Sequence, residues 1–236
     1  GSEPSAAFRS SYSVTPSWTS ARGFVPLRCG PYDGSLYQVP IDPDFDRNRC
    51  STIREGELVQ ILATWPNGMR LARTSYALGW VTESGLEPLT SSEAEAILAS
   101  KSSAPLTRRR LLEEAFAMLG EPYGWGGQAG GFDCSRFLME LFGKFGIDLP
   151  RHSARQAMAG TFSLDVSTLQ DANEKRLLLE ASALLAIVLL QIPGHIMLYL
   201  VTTQAGAPMA LHSISEFLTP SEVNDFETDN RVARVE

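Results

Sequence analysis

Apolar positions along the chain follow two successive rhythms. The first is short runs broken by turn residues. Phe24-Val25-Pro26-Leu27 gives way to Gly30-Pro31-Tyr32-Asp33-Gly34, and Leu58-Val59-Gln60-Ile61-Leu62 to Pro66-Asn67-Gly68. Met69-Arg70-Leu71-Ala72 and Gly79-Trp80-Val81 complete the series. Short strands at this spacing, with Gly and Asn-Gly turns, predict a small β-barrel over residues 23–88. The polar stretch 42–49 reads as an extended loop of it. A polar extension rich in Ser, Pro and Thr precedes it at 1–22, and residues 89–106 read as a linker with a short helix.

From residue 107 the rhythm turns helical. Leu111, Leu112, Ala115, Phe116 and Leu119 form one stripe, ended by Gly120. Phe137, Leu138, Leu141, Phe142 and Phe145 form another, ended by Gly146. Residues 177–186 fit helix or strand equally. Strands are then expected at 187–190, 195–201 and 209–214, with turns at Pro193-Gly194 and Gln204-Ala205-Gly206. Two helices followed by an antiparallel sheet predict an α+β domain over residues 107–236.

Composition narrows the function more than the fold. A chain of 236 residues has room for one or two domains, and 44% hydrophobic with 20% charged residues is ordinary for a globular protein. With a net charge of −7 and no basic run beyond Arg108-Arg109-Arg110, a nucleic-acid partner is not expected. The longest apolar run, residues 183–190, falls far short of the ~20 residues that span a bilayer, so no integral membrane segment is expected. The opening Gly-Ser-Glu-Pro-Ser is no signal peptide; an engineered or trimmed mature end would look the same, so it is silent on export. Three cysteines leave one over after any pairing, and Cys29 with Cys50 can form a disulfide in an oxidising compartment.

The remaining cysteine has the chemical setting. Cys134 follows five glycines (Gly124, Gly126, Gly127, Gly130, Gly131) interleaved with aromatic residues, and it opens the second helical stripe. The N–H groups and positive dipole end at a helix start favour an anion, which predicts a thiol pKa below the free value of about 8.5. The same N–H groups can hold the oxyanion formed when sulfur attacks a carbonyl. A cysteine nucleophile needs a base, and the base an orienting partner. His195 opens a predicted core strand after Pro193-Gly194, and His212 lies on the next strand, where one ring can hydrogen-bond the other. His152, at a predicted helix start, is the rival base. No C-x-x-C or H-x-x-x-H pair occurs, so no metal is expected; a Cys-His mechanism needs no cofactor.

The segments GWGG…FDCSRF…GIDLPRHSARQ and PGHIMLYL resemble the NlpC family of papain-like cysteine peptidases, over roughly residues 107–217. Arg136 departs from the family pattern, which commonly has glycine after Cys-Ser, and its side chain would narrow a subsite. The resemblance implies a papain-like domain in which helices pack on an antiparallel sheet, and a bacterial endopeptidase of the cell envelope. It would cut peptidoglycan stem peptides or muropeptide fragments between γ-D-glutamate and an L-diamino acid. Cys134 would attack, His195 would shuttle the proton and His212 would orient it. Asp133, Ser135, Ser153 and Trp125 would contact substrate. Residues 54–57 and 76–81 resemble, more weakly, bacterial SH3-like domains. That likeness would let Tyr76, with the Asp133 carboxylate, read a free L-alanine amine. A non-catalytic peptidoglycan-binding module, or an amidase or acyltransferase on the same fold, are the other readings.

Overall fold

The computed structural model describes residues 16–100 and 103–215, with strand pairing also at 219–220, 226–227 and 234–235. The chain forms two compact units. One holds the described residues up to 100 together with Gly124–Gly131; the other holds Ser103–Tyr123 and the chain from Phe132 onward.

In the first unit, strands β1 (Ser17–Ala21), β2 (Val25–Arg28), β3 (Arg49–Ile53), β4 (Leu58–Thr64), β5 (Arg70–Arg73), β6 (Leu78–Val81) and β7 (Leu86–Leu89) form one antiparallel sheet in the order β3-β2-β6-β5-β4-β1-β7. Alternation along β4 turns Val59, Ile61 and Ala63 inward, and Val59 and Ile61 join Ala21, Val25, Leu27, Ile53, Ala72 and Val81 in a core. Strand β1 corrects the expected boundary at residue 22. Its inward positions, Thr19 and Ala21, are small, so it carries no strong period-two signal. It nevertheless sits between β4 and β7, with Trp18 opposite Gln60 on one side and Leu89 on the other. The rest of the expected extension, residues 1–15, lies outside the described residues. Helix α1 (Ser91–Ser100), in the expected linker, packs on β1.

A disulfide joins Cys29 to Cys50 with their Cα atoms 5.1 Å apart. The loop it closes includes the polar stretch 42–49, and its polar residues tie it down rather than leaving it extended. Arg28 pairs with Asp46 at 2.8 Å. Asp46 accepts from the Leu36 and Asn48 backbone N–H groups, and the Asn48 amide donates to the carbonyls of Tyr32 and Gly34.

The second unit contains α2 (Arg108–Ala117), α3 (Cys134–Gly143), α4 (Ser153–Gln156) and α5 (Ala172–Leu185). Its antiparallel sheet has the order β10-β9-β8, from β8 (Leu189–Ile192), β9 (His195–Thr202) and β10 (Pro208–Leu211). Helix α3 buries Phe137, Leu138, Leu141 and Phe142 and packs on α2 and β9. Gly146, just beyond it, has φ 73°, the left-handed conformation its position predicts. Of the ambiguous residues 177–186, all but the C-cap Ala186 belong to α5, which starts at an Asp171 cap. Leu184 and Leu185 are exposed there, so the apolar run marks no buried stripe. The expected strand 209–214 is interrupted: β10 ends at Leu211, β11 (Ser213–Ile214) follows, and His212 sits between them.

Candidate active site

The glycines before Cys134 serve close approach. Gly126 and Gly127 have φ of 61° and 78°, and a Cβ on them would lie 2.6 Å from Arg49 and 3.2 Å from Thr52. This turn groups with the first unit. Trp125 donates its indole N–H to the Asp46 carbonyl at 3.0 Å, meets the Phe45 ring edge-on at 5.2 Å and lies under the Arg47 guanidinium. Arg54 donates to the Gly130 carbonyl at 2.9 Å.

Asp133 then caps α3, accepting the Arg136 N–H at 2.9 Å and the Ser135 hydroxyl at 3.1 Å. Arg151 grips the same carboxylate with both guanidinium nitrogens, and donates to Ser135 Oγ at 2.7 Å. Gln156 donates to the carbonyls of Ser135 and Pro150, both at 2.8 Å. Burial alone would push the Asp133 carboxyl up; the Arg151 charge and these hydrogen bonds bring it below its ordinary value. Asp133 is therefore an internal brace. The expected amine contact through it does not fit a carboxylate that is only 6% exposed and held by Arg151.

The Cys134 thiol lies against the backbone on both sides of His195. Its sulfur is 4.0 Å from the Gly194 carbonyl and accepts from the Ile196 N–H. The expected low pKa is reversed: burial pushes the thiol up and the Asp133 charge adds to that, outweighing the Ile196 and Ser135 N–H groups. The helix start is already answered by the Asp133 cap, which leaves less of its field for sulfur. At pH 6, Cys134 is expected to react with iodoacetamide no faster than a model thiol, with the rate rising only above the free-thiol range; fast alkylation at pH 6 would contradict that direction.

His195 Nε2 and His212 Nδ1 are 2.8 Å apart with the rings edge-to-face. Burial, and then His212, lower the His195 pKa, so its imidazole is neutral and basic near pH 7. Ser213 Oγ donates to the Phe132 carbonyl at 2.6 Å, tying the strand beyond His212 to the residue before Asp133. Cys134, His195 and His212 are thus brought together in one unit, with Asp133 and Ser135 behind the sulfur. His152 is exposed at the α4 N-cap. Ser153 is the first residue of α4, and among the described residues no hydrogen bond joins its side chain to this cluster. Arg136 is 1% exposed and pairs with Glu140 at 2.6 Å along α3, so it fills the interior instead of narrowing a subsite. Trp125 and Tyr76 belong to the first unit, where the Tyr76 hydroxyl donates to Glu57 at 2.5 Å.

Sequence reasoning gave no role to Tyr123, Arg151 or Glu57. Tyr123 is half-buried, and burial, Asp133 and Cys134 all raise its hydroxyl pKa, which keeps it a protonated donor near the sulfur. The available signals were an aromatic residue inside the glycine run, and an arginine directly after Leu149-Pro150.

Residues 120–234 match the model of the NlpC/P60 family, a family of cysteine peptidases. A probable endopeptidase of Mycobacterium tuberculosis is 42% identical over 64 residues, 27% of this chain and 16% of that protein. A gamma-D-glutamyl-L-lysine dipeptidyl-peptidase of Bacillus subtilis is 42% identical over 55 residues, 23% of this chain and 19% of that one. The matches span less than a fifth of the length of these curated relatives. An NlpC/P60 endopeptidase from Photobacterium damselae subsp. piscicida superposes with a TM-score of 0.67 at 17% identity, over 92% of this chain and 65% of that one. The fold is accordingly mixed α+β, like that of this endopeptidase, and residues 120–234, just under half of the chain, match the NlpC/P60 family.

Proposed function

We propose that this chain hydrolyses the γ-D-glutamyl–L-diamino acid bond of peptidoglycan stem peptides in the cell envelope. The observation that carries the reading is the 2.8 Å His195–His212 pair, with the Cys134 thiol beside the His195 backbone. His195 takes the thiol proton as sulfur attacks the carbonyl carbon. The Cys134 N–H and the Tyr123 hydroxyl hold the resulting oxyanion. Collapse breaks the C–N bond, and the imidazolium gives its proton to the departing amine. Water, deprotonated by His195, then attacks the thioester carbon; the C–S bond breaks, the peptide leaves as its carboxylic acid, and His195 returns the proton to sulfur. His212 fixes the His195 tautomer; no cofactor is required. Incubation with defined muropeptides and mass spectrometry of the products tests the reading; an intact γ-glutamyl bond would overturn it.

The first unit, assigned here as an SH3-like module, supplies the amine preference. Tyr76 and Glu57 form a hydroxyl–carboxylate pair suited to an ammonium group. An N-acetyl group would bring no charge to Glu57, so free L-alanine peptides are favoured over N-acetylated ones. Glu57→Gln is expected to cut that preference by about tenfold or more, read as the ratio of kcat/KM for the two peptides. Equal cleavage of free and blocked peptides by the unaltered protein would remove the amine-reading role.

A further inference from the structure

Helix α5 presents its apolar side outward. Leu177, Ala181, Leu184 and Leu185 recur at i, i+4, i+7 and i+8, the spacing that usually faces a core. All four are exposed instead, Leu184 at 85% and Leu185 at 92%. The end of this stripe lies against the start of α2, where the Arg108 guanidinium donates to the Ala186 carbonyl at 2.6 Å. Arg109 and Arg110 follow Arg108, and both are exposed. Arg109 meets Glu113 at 2.9 Å in an exposed pair, the kind that contributes little and yields readily to another anion. Glu114 is answered by Lys144 at 2.6 Å. Glu174, in the first turn of α5, stands ten residues before Leu184, about 15 Å along the helix. An outward leucine stripe thus ends beside three guanidinium groups, all within the second unit.

Size and charge decide what such a patch fits. Four side chains are far fewer than the roughly 20–30 residues a side of a stable protein interface. The crevice between α2, α5 and β9, lined by Leu111, Leu112, Ala183 and Val188, has a volume of about 20 Å³, room for a water but not for an acyl chain. A lipid surface takes a few leucines to headgroup depth and offers phosphates beside them, which answers both halves of the patch. We propose that the outward side of α5 and the start of α2 dock on an anionic phospholipid bilayer. Leu177, Leu184 and Leu185 enter the headgroup layer, and Arg108, Arg109 and Arg110 meet lipid phosphates, which the guanidinium fork matches bidentately. The net charge of −7 does not oppose this. At physiological ionic strength charges beyond about 8 Å are largely screened, whereas these arginines stand beside the leucines. No helix among the described residues is long and apolar enough to cross a membrane, so the contact is peripheral and reversible. Docking is independent of the peptidase reading.

The test floats the full chain with vesicles of equal parts phosphatidylglycerol and phosphatidylcholine, and with vesicles of phosphatidylcholine alone. Partitioning to the mixed vesicles is expected to be at least about tenfold stronger, and to fall as salt is added. Leu184→Ser with Leu185→Ser should lower it about tenfold or more. Arg109→Gln with Arg110→Gln should lower it about fivefold per arginine, with no change on neutral vesicles; Arg108 is kept for its bond to Ala186. All four substituted side chains are exposed, so melting temperatures should stay put, and the salt series needs no variant. Equal partitioning to the two vesicle types, binding that salt does not weaken, or a leucine variant that floats like the unaltered chain would overturn the proposal. So would a concentration-dependent dimer in lipid-free ultracentrifugation that the leucine substitutions abolish, which would assign the stripe to a second copy.

Discussion

Replacing His195 with alanine is expected to lower stem-peptide turnover by on the order of 10⁴-fold, with the fold intact. The reason lies in the resting state of the pair. Burial holds the Cys134 thiol protonated, and burial with His212 keeps His195 neutral. On the proposed mechanism the thiolate is therefore made during attack, and the proton goes to the imidazole of His195, whose neighbours Gly194 and Ile196 flank the sulfur. On the same mechanism that imidazolium protonates the leaving amine, so its loss would damage both half-reactions. His212→Ala should cost less, roughly 10²-fold, because a mis-set ring still finds the right tautomer part of the time. His152→Ala should retain most activity, since that ring is exposed at the α4 cap. Single-turnover kinetics with a γ-glutamyl peptide separate the three, and a His152→Ala variant as inactive as His195→Ala would overturn the assignment.

Arg151→Met is expected to destabilise the fold by about 3–5 kcal/mol, the range for removing one partner of a buried ion pair. Asp133 and Arg151 are 6% and 8% exposed, and the guanidinium also donates to Ser135. Without it the carboxylate remains interior, with its Arg136 N–H and Ser135 bonds but without the Arg151 counter-charge. The pH dependence changes sign as well. In the unaltered protein the Asp133 pKa is below its unfolded value, so its contribution is present above about pH 4 and is lost as pH falls through the folded pKa. In the variant, burial dominates and the folded pKa lies above the unfolded one. Stability should then be recovered as pH falls through that raised value. Thermal melts between pH 4 and 8 show this directly; a variant whose melting temperature falls with acid in parallel with the unaltered protein would exclude Arg151 as the controlling partner.

What could be read beforehand, and what could not, divides along physical lines. Cys134, His195 and His212 stand in segments whose chemistry is local, and helix α3 declares itself through five apolar residues at helical spacing. Strand β1 was hidden because Thr19 and Ala21 make an inward face without large side chains. The role of Asp133 depended on Arg151, 18 residues away, and a helix-start argument applied to Cys134 alone had the sign of its pKa shift wrong. Tyr76 was legible as a polar group on a turn, but its partner Glu57 comes from 19 residues earlier in the chain. Long-range polar pairing leaves no period in a sequence, and most of the missed features are of that kind.

The glycine turn bears on how such proteins can be taken apart or recombined. The chain passes between its two units near residue 103 and again on either side of Gly124–Gly131, so a short segment of the first unit interrupts the sequence of the second. A cut in the 89–106 stretch would release residues 107–236 with that turn still attached, but without Asp46 for the Trp125 indole, Arg54 for the Gly130 carbonyl, or the flank of Arg49 and Thr52 against which its glycines lie. An excised or transplanted catalytic half would inherit a loop shaped for a neighbour it no longer has. Exchange of the N-terminal module among relatives should therefore succeed only when the turn travels with it.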